Sequence, residues 1–251
     1  MTEPAPLLPA KTAALLLIGN ELLSGKVEEA NLAVLARVLR DLGVELQRVV
    51  MVQDDIEIIA REVKALSSTH DWLFTSGGIG PTHDDVTIDA VALAFGVPVV
   101  QNETMADMIR GHYKERCNEG HLRMALAPDG AIMETTKEMR WPTVRMHNTW
   151  VMPGIPEAFR MKLPGIVERL GGAAPYISRA VYTKMDEADL KPLLDATVAE
   201  FPDVIIGSYP KWNEPTYKTK LTFDSRDTAR VSAATDAFVA RLPKGEPQRT
   251  E

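Results

Sequence analysis

The sequence has little cysteine: Cys117 is the only one in 251 residues. A single cysteine can form neither an internal disulfide nor a cysteine-based metal cluster, so both are excluded within one chain. It lies in the helix-like stretch ADMIRGHYKERCNEG, where no charged motif surrounds it. We interpret it as an unreactive helix thiol in a protein from a reducing compartment.

Long apolar runs are also missing. No stretch reaches the roughly 18 apolar residues that a membrane-spanning helix needs. The run TAALLLIG is only as long as a strand, and it lacks the basic region and the small-residue cleavage site of a signal peptide. We therefore expect a cytoplasmic protein with no membrane partner.

The chain lacks an excess of positive charge, with 28 Lys and Arg against 35 Asp and Glu and a net charge of −7. A nucleic-acid-binding protein needs a broad basic face, so we expect no nucleic-acid partner. Gly-x-x-Gly, the loop of RNA-binding KH domains, is absent from the small C-terminal unit described below. An anionic substrate must then be bound by local donors or by a metal rather than by the global field.

What the sequence does contain is a regular alternation of short apolar runs with amphipathic stretches. TAALLLIG is apolar throughout, as in a strand buried on both faces, and NLAVLARVLRDLG has the apolar spacing of a helix that ends at Gly43. The same alternation continues through VELQRVVMV, DIEIIAREVKALSS, DWLFTS, DDVTIDAVALAFG, VPVVQ and ETMADMIRGHYKERC. It predicts an α/β fold, a three-layer sandwich with a mostly parallel sheet between helices.

Composition changes divide the chain into four segments. Three prolines before residue 10 predict a flexible arm over residues 1–11, and residues 12–172 form the predicted α/β domain. Gly171 and Gly172 mark its end. Residues 173–242 have a β-α-β-β-α order, which predicts a small α+β plait, and residues 243–251 are expected to be a frayed tail.

Glycines cluster in the stretch TSGGIGPTHDD, which directly follows a predicted strand. Gly77, Gly78 and Gly80 allow a tight turn whose amides point inward and bind an anion. We expect Ser76 and Thr82, at the two ends of this turn, to bind the substrate phosphate as well. We expect Thr82 to be the N-cap of the next helix. Two interpretations remain open: a phosphate-binding turn, or a purely structural turn followed by aspartates that complement the helix dipole.

Carboxylates collect at the same predicted edge of the sheet. Asp85 and Asp89 are spaced to share a helix face, Asp54 and Asp55 end the stretch VQDD, and Glu21 lies in GNELLSG. The carboxyl ends of parallel strands are where such sheets bind ligands, so we expect one shared cleft. Carboxylates next to an anion site favour a bridging cation such as Mg²⁺ or Mn²⁺, and so predict a metal-assisted phosphate or pyrophosphate site.

Other stretches leave alternatives open. MPGIPEAF is interpreted as a rigid proline turn that also binds the ligand through Gly154. Tyr209 and Trp212 in GSYPKW stack on an adenine or flavin ring, or else pack in a turn between domains. His83 is an acid, a metal ligand or an ordinary surface histidine.

Four motifs taken in order resemble one known family. GNELLSGKVEEAN, VVMVQDD, SGGIGPTHDDVTIDAVALAFG and VMPGIPEAF are similar to motifs of the molybdopterin-binding (MoaB/Mog-like) family. The resemblance is greatest to the amino-terminal domain of CinA proteins and to the corresponding domain of FAD synthases. GSYPKW and YKTKLTFDS extend it into the smaller domain. The resemblance implies a cleft for a small phosphorylated pterin or nucleotide.

The resemblance also implies roles for individual residues. The functional aspartates of the family correspond to Asp85 and Asp54, and Asp84 matches an extra aspartate of the CinA-like branch. That branch implies a metal-dependent pyrophosphatase for ADP-ribose or FAD. Asp85, Asp54 and Asp84 would then be catalytic, with Asp84 and Asp85 holding Mg²⁺, Mn²⁺ or Co²⁺. The Mog-like branch implies molybdopterin as the ligand, and both branches imply a dimer or trimer.

One position departs from the family pattern. The family usually has Gly-Asp-Glu where this chain has Gly19, Asn20 and Glu21. Asparagine keeps an oxygen ligand but loses a charge, which favours a binding module of molybdenum cofactor metabolism without turnover. The paired Asp84 and Asp85 favour the pyrophosphatase.

Overall fold

The computed structural model describes residues 11–136, 141–170 and 174–251. The chain divides into two compact units between Ala173 and Ala174. Apart from Lys11, the expected flexible arm lies outside the described residues. No helix in the described ranges is both long enough and apolar enough to cross a membrane.

The first unit contains short strands and helices that follow the predicted alternation closely. Its strands are Thr12–Ile18 (β1), Glu45–Val52 (β2), Trp72–Ser76 (β3), Val99–Gln101 (β4), Leu126–Pro128 (β5), Ile132–Glu134 (β6), Thr143–Met146 (β7) and Thr149–Met152 (β8). Its helices are Asn20–Leu23 (α1), Leu32–Asp41 (α2), Ile56–Thr69 (α3), Thr87–Phe95 (α4), Glu103–Tyr113 (α5), Glu119–Arg123 (α6) and Pro156–Leu170 (α7).

The main sheet has the strand order β2-β1-β3-β8-β7-β6. β1 pairs in parallel with β2 and β3, and β3 pairs in parallel with β8, whereas β7 and β6 are antiparallel. Alternate residues of β1 belong to two separate cores. Leu16 packs in the core that contains residues of α3 and α4, and Leu15 in the core with residues of α2 and α7. This confirms the predicted three-layer α/β fold with a mostly parallel sheet.

The predicted strand VPVVQ forms, but it does not extend the main sheet. β4 pairs antiparallel with β5 in a separate two-stranded sheet. Val99 is half-buried and Val100 is exposed, and a central parallel strand must be buried on both faces.

The second unit is a small α+β sheet domain, as predicted. Its strands are Ile177–Thr183 (β9), Ile205–Pro210 (β10), Thr219–Ser225 (β11) and Arg249–Thr250 (β12), and its helices are Glu187–Glu200 (α8) and Thr228–Arg241 (α9). The antiparallel sheet has the order β10-β11-β9-β12. Its own core contains Leu190 of α8, Phe223 of β11 and Phe238 of α9.

The expectation of a frayed tail over residues 243–251 is wrong. β12 lies in that segment and pairs with β9. The backbone of Glu251 exchanges two hydrogen bonds of 2.8 Å with Ala180, and its carboxylate accepts one from the hydroxyl of Tyr182. The free edge of β9 has backbone donors and acceptors that need partners, and the C-terminal residues supply them.

Candidate functional site

Four parallel strands end side by side at one edge of the main sheet. β2, β1, β3 and β8 are neighbours in that order, so the turns that follow them are adjacent. The amide of Gly19 after β1 donates to Val52 O of β2 at 3.1 Å, and the amide of Gly77 after β3 donates to Met152 O of β8 at 3.2 Å. The structure thus brings together the three turns that were predicted to share a cleft and the turn after β8, in which Gly154 was predicted to contact the ligand. Ligands of open α/β sheets bind at such an edge.

Gly77 and Gly154 are glycines because backbone segments approach closely there. A Cβ atom on Gly77 would lie 2.1 Å from Ile18 O, and Gly77 has a φ of 112°. A Cβ atom on Gly154 would lie 3.1 Å from the Cα atom of Gly77. The turns after β1, β3 and β8 are therefore in direct contact, and larger residues at these positions would force them apart.

The glycine turn offers fewer amides than the sequence suggests. The amide of Gly77 is already bonded to Met152, so the expectation that it binds an anion is wrong in this structure. The amides of Gly78, Ile79 and Gly80 donate to no partner in the described part of the chain. These three consecutive residues supply the unpaired donors that an anion needs.

Thr87 fixes the turn from the other side. This buried residue begins α4, and its hydroxyl donates to Gly77 O at 2.9 Å while its amide donates to Gly78 O at 2.9 Å. Both carbonyl groups are thereby turned toward the helix. Sequence reasoning missed Thr87, because a threonine in the first turn of a helix carries no signal of a contact nine or ten positions earlier.

The expectation that Thr82 caps the following helix is wrong. α4 begins only at Thr87 with Val86 at the N-cap position, so Asp85 precedes the helix and does not share a helix face with Asp89. The amide of Thr82 instead donates to Asp85 Oδ2 at 2.8 Å, and the Thr82 hydroxyl contacts the same oxygen. Residues 82–85 form a separate turn, closed by a bond from Asp85 N to Thr82 O, and this turn delays the helix. It places the Asp85 carboxylate next to Gly80, where a Cβ atom would lie 2.6 Å from Oδ2.

Asp84 differs from Asp85 in being exposed. A hydrogen bond from the Thr82 side chain, and then one from its own backbone amide, lowers the pKa of Asp84 below its ordinary value. The single hydroxyl hydrogen of Thr82 serves only one of the two aspartates at a time, so the two carboxylates compete for it. The neighbouring His83 is 97% exposed in its side chain, which fits an ordinary surface histidine.

Asp54 joins the turns after β2 and β1. Its Oδ2 atom accepts a hydrogen bond of 2.8 Å from the amide of Asn20. Asp55 has a structural role, since it caps α3 by accepting from Ile58 N at 2.9 Å. Glu21 folds back over Gly19, where a Cβ atom would lie 2.3 Å from Glu21 Oε1. Only Asp54 of these carboxylates links two of the turns.

Among the described residues, the site has too few carboxylates for a metal site made of protein side chains alone. Its donors fit a metal ion that is bound partly by the protein and partly by the ligand. The described ranges contain no group of three or more His, Cys, Asp or Glu side chains that could hold a metal ion. Mg²⁺ in proteins often takes only one or two carboxylates and completes its shell with water and substrate phosphates. The neighbouring Asp84 and Asp85 carboxylates fit that pattern.

Two residues that sequence reasoning did not assign lie at the site. Arg123 at the end of α6 donates from Nη2 to Asp85 O at 3.2 Å, and no carboxylate of the described residues lies in ion-pair contact with it. Asn31 before α2 donates from Nδ2 to Ser76 Oγ at 2.9 Å and to Gly154 O at 2.8 Å. Arg123 lies in no motif, whereas Asn31 ends the motif GNELLSGKVEEAN, which was the one available signal.

Tyr209 lies in the second unit, on the edge strand β10, and is half-exposed. Its ring covers Gly207, where a Cβ atom would lie 2.7 Å from the Tyr209 hydroxyl. Trp212 in the following loop is 96% exposed. The predicted part of Tyr209 in a ligand cleft stays a prediction.

Comparison with known proteins agrees with this architecture. Residues 14–172 match the family described as probable molybdopterin binding domain, and residues 175–251 match the FAD synthase middle domain. A protein of Archaeoglobus fulgidus is 31% identical over 221 residues, which cover 88% of this chain and 93% of that one.

Two further relatives are informative. The probable FAD synthase of Caenorhabditis elegans is 30% identical over 89% of this chain, which spans only 48% of that relative. The crystal structure of the protein CinA from Thermoplasma acidophilum, described as of unknown function, has a TM-score of 0.59 and 25% identity over 64% of this chain and 99% of that one. The chain therefore belongs to the molybdopterin-binding domain family and carries, after that domain, a unit of the kind found in the middle of FAD synthases.

Proposed function

We propose that the chain is a divalent-metal-dependent pyrophosphatase that hydrolyses a dinucleotide such as FAD or ADP-ribose. Water would add across the P–O–P linkage, so that FAD gives AMP and FMN, and ADP-ribose gives AMP and ribose 5-phosphate. The observation that carries the proposal is one short loop in which three unpaired amides, at Gly78, Ile79 and Gly80, lie within seven residues of Asp84 and Asp85. Such a loop suits a phosphate together with its cation.

The backbone amides of the glycine turn and the guanidinium of Arg123 would bind the phosphates. Unpaired backbone N–H groups of Gly78 to Gly80 would donate to phosphate oxygens and stabilise the charge that develops there. Arg123 would add a guanidinium, since its contact with Asp85 O uses one of five N–H donors. These groups meet the need for local donors in a protein with a net charge of −7.

The aspartates would bind the metal and handle the proton. A divalent ion, when bound, neutralises phosphate charge and lowers the pKa of a bound water. Asp84 is held ionised by its lowered pKa and is exposed enough to reach an incoming ion. Asp85 would accept the proton of the attacking water through Oδ1, because Oδ2 is held by Thr82. Asp54 would hold the Asn20 turn at the edge of the site.

The relatives favour a dinucleotide over a free pterin. The Caenorhabditis elegans relative is named a probable FAD synthase, and the similarity covers 89% of this chain, across both units. The second unit also matches a FAD synthase domain. We therefore place FAD first among the substrates to be tested.

A second candidate function is binding of molybdopterin or a related phosphorylated pterin without turnover. The first unit matches a family described as probable molybdopterin binding domain. The absence of a three-ligand metal group among the described residues, together with Asn20 in place of the aspartate usual in the family, favours this alternative. Both candidates use the same loop for the phosphate.

Product analysis separates the two functions. The protein is incubated with FAD, ADP-ribose or NAD and with Mg²⁺, Mn²⁺ or Co²⁺, and AMP is quantified by chromatography, with a chelator as the control. The pyrophosphatase proposal predicts metal-dependent release of AMP from FAD or ADP-ribose. No AMP from any substrate with any of the metals would contradict it and would leave the binding function.

A further inference from the structure

We propose that Asn31 is a positioning residue that holds the turns after β3 and β8 in the arrangement that binds the ligand. The proposal rests on the proposed function for what the turns bind, but its structural part is independent of turnover. The side chain of Asn31 bonds to Ser76 and Gly154 rather than to Asp84 or Asp85, so it would act on the site through those two residues.

The side chain of Asn31 links three elements of the first unit. Asn31 is 4% exposed, and its two amide hydrogens are both used, one on Ser76 Oγ at the end of β3 and the other on Gly154 O after β8. Its own backbone is held by Glu29, whose Oε1 atom accepts from Asn31 N at 2.6 Å and from Leu32 N at 2.9 Å. The start of α2 is thereby tied to both turns.

The link lies next to a close backbone contact between the turns after β3 and β8. Gly77 follows Ser76, and a Cβ atom on Gly154 would lie 3.1 Å from Gly77 Cα. A backbone bond from Gly77 N to Met152 O connects the same two turns. Without the Asn31 amide, that backbone bond and a longer bond of 3.4 Å from Ser76 Oγ to Pro153 O would be the polar links left between the two turns. The amides of Gly78 to Gly80 would then be held in place mainly by Thr87, and so less firmly.

The carbonyl oxygen of Asn31 supports a role beyond stability. Oδ1 is buried and has no hydrogen-bond partner among the described residues. Burying an unpaired acceptor is unfavourable and offsets part of the stabilisation from the two bonds that the amide donates. Only a side-chain amide supplies two donors at this length: a carboxylate supplies none and a serine hydroxyl supplies one.

Asn148 provides a matched control in the same unit. Its Nδ2 atom also donates to two acceptors, Ser67 O at 2.8 Å and His70 O at 3.0 Å. It directly precedes β8, and its carbonyl accepts from Leu73 N near the start of β3. Asn148 therefore uses the same pair of amide donors to tie the end of α3 to the start of β8, at the other end of that strand from the site.

The test compares Asn31→Ala and Asn31→Ser with Asn148→Ala. Backbone hydrogen exchange is measured without ligand in peptides covering residues 76–86 and 149–156, the second of which includes the bonded amides of β8. Binding of ADP is measured by calorimetry, and KM and kcat are measured with FAD. Because a misplacement of about 1 Å can cost up to about 100-fold, we expect Asn31→Ala to accelerate exchange in both peptides and to weaken ADP binding and raise KM by about tenfold or more.

Asn31→Ser keeps one donor, so its exchange rates, its ADP affinity and its KM should lie between those of the wild type and those of Asn31→Ala. This variant still tests the proposal if Asn31→Ala fails to fold. Asn148→Ala should lower stability without changing ADP binding or KM. Unchanged exchange at both turns in the Asn31 variants would overturn the proposal, as would an equal effect of Asn148→Ala on ADP binding. The exchange measurement decides this even if the wild type releases no AMP, so failure of the proposed function remains a separate result.

Discussion

Single residues at the site combine structural and chemical roles in one loop. Thr82 holds the carboxylate of Asp85, and Thr87 holds the carbonyl groups of Gly77 and Gly78. These two threonines leave the amides from Gly78 to Gly80 as the unpaired groups of the turn. Arg123 then reaches the same loop from α6. Charge and unpaired donors are thus concentrated within a few residues.

Replacing Arg123 by alanine should weaken binding of a nucleoside diphosphate. Hydrogen bonds to a charged group contribute roughly 1.5–3 kcal/mol, so we expect the Kd for ADP to rise at least about tenfold. Calorimetry at low ionic strength measures this directly, and Arg123→Lys should recover part of the loss because it keeps the charge without the planar fork. Arg110→Ala is the control, because Arg110 pairs with Glu103 and Asp107 on its own helix. Equal ADP affinity in Arg123→Ala and the wild type would contradict the assigned role.

For single residues, the sequence predicted local backbone turns but missed hydrogen-bond partners that lie far along the chain. The tight turn at Gly77 and Gly78 follows from local glycine chemistry, and both residues have positive φ. The partner of the Gly77 amide, Met152, is 75 positions away, and no local pattern reveals which donor of a turn is already used. The same reason explains why Arg123, which bonds to Asp85 O 38 positions away, was missed. Thr82 is a different case, because its bond to Asp85 three positions later closes a local turn where a helix cap was expected.

Among the elements, helix α7 contains a lysine whose charge is disfavoured by the fold. Burial lowers the pKa of Lys162 from 10.5 to about 8, while its Nζ atom donates to Trp141 O at 2.5 Å and to Pro142 O at 2.9 Å. Between these two pKa values the unfolded chain keeps a proton that the folded chain releases. The free energy of unfolding should therefore rise with pH from about 8 to about 10.5.

Lys162→Met should remove this pH dependence. Within that window the contribution of one group changes by at most about 1.4 kcal/mol for each pH unit. Urea denaturation at pH 7.5 and pH 9.5 measures the free energy of unfolding of the wild type and of the variant. The contributions of the other titrating groups cancel when the two proteins are compared at the same pH. Lys191→Met is a control, because Lys191 is an exposed lysine on α8. If the free energies of unfolding of the wild type and of Lys162→Met differ by the same amount at pH 7.5 and at pH 9.5, the burial of Lys162 has no such effect.

Strand β12 should stabilise the second unit although it has only two residues. Removing residues 248–251 deletes the bond from Gln248 N to Tyr182 O, both bonds between Glu251 and Ala180, and the contact of Arg249 with the Tyr182 ring at 3.9 Å. At about 0.5–1.5 kcal/mol for each of the three backbone hydrogen bonds, we expect a loss of roughly 1.5–4.5 kcal/mol. Urea denaturation of the full chain and of the truncated chain, followed by circular dichroism, measures it. An unchanged transition would mean that β12 contributes nothing to the sheet.

Element types were easier to predict than element partners. β1 and α2 have strong apolar patterns, and both form where the patterns place them. β4 was recognised as a strand, but its pairing with β5 depends on a segment 25 positions later and on partial exposure. β12 has no apolar run at all, since its pairing uses backbone groups, which the sequence pattern does not show.

The whole molecule consists of two units with separate cores, and each unit matches a different family model. The overall fold class followed from the alternation of strands and helices, and the family followed from four motifs in order. The resemblance also predicts a dimer or trimer, which stays a prediction. The proposed chemistry uses residues of the first unit, where the four turns meet.

The most direct measurement of the central claim is the rate of AMP release from FAD by the wild type and by Asp85→Asn. The variant keeps the size of the side chain and the acceptor for Thr82, but it cannot accept the proton of the attacking water. With Mg²⁺ or Mn²⁺ in excess, we expect kcat to fall by about 100-fold or more while ADP still binds, since general-base catalysis contributes about 10²–10⁴-fold. Asp89→Asn, four positions away on α4, should retain the wild-type rate. Hydrolysis by Asp85→Asn at the wild-type rate would contradict the account.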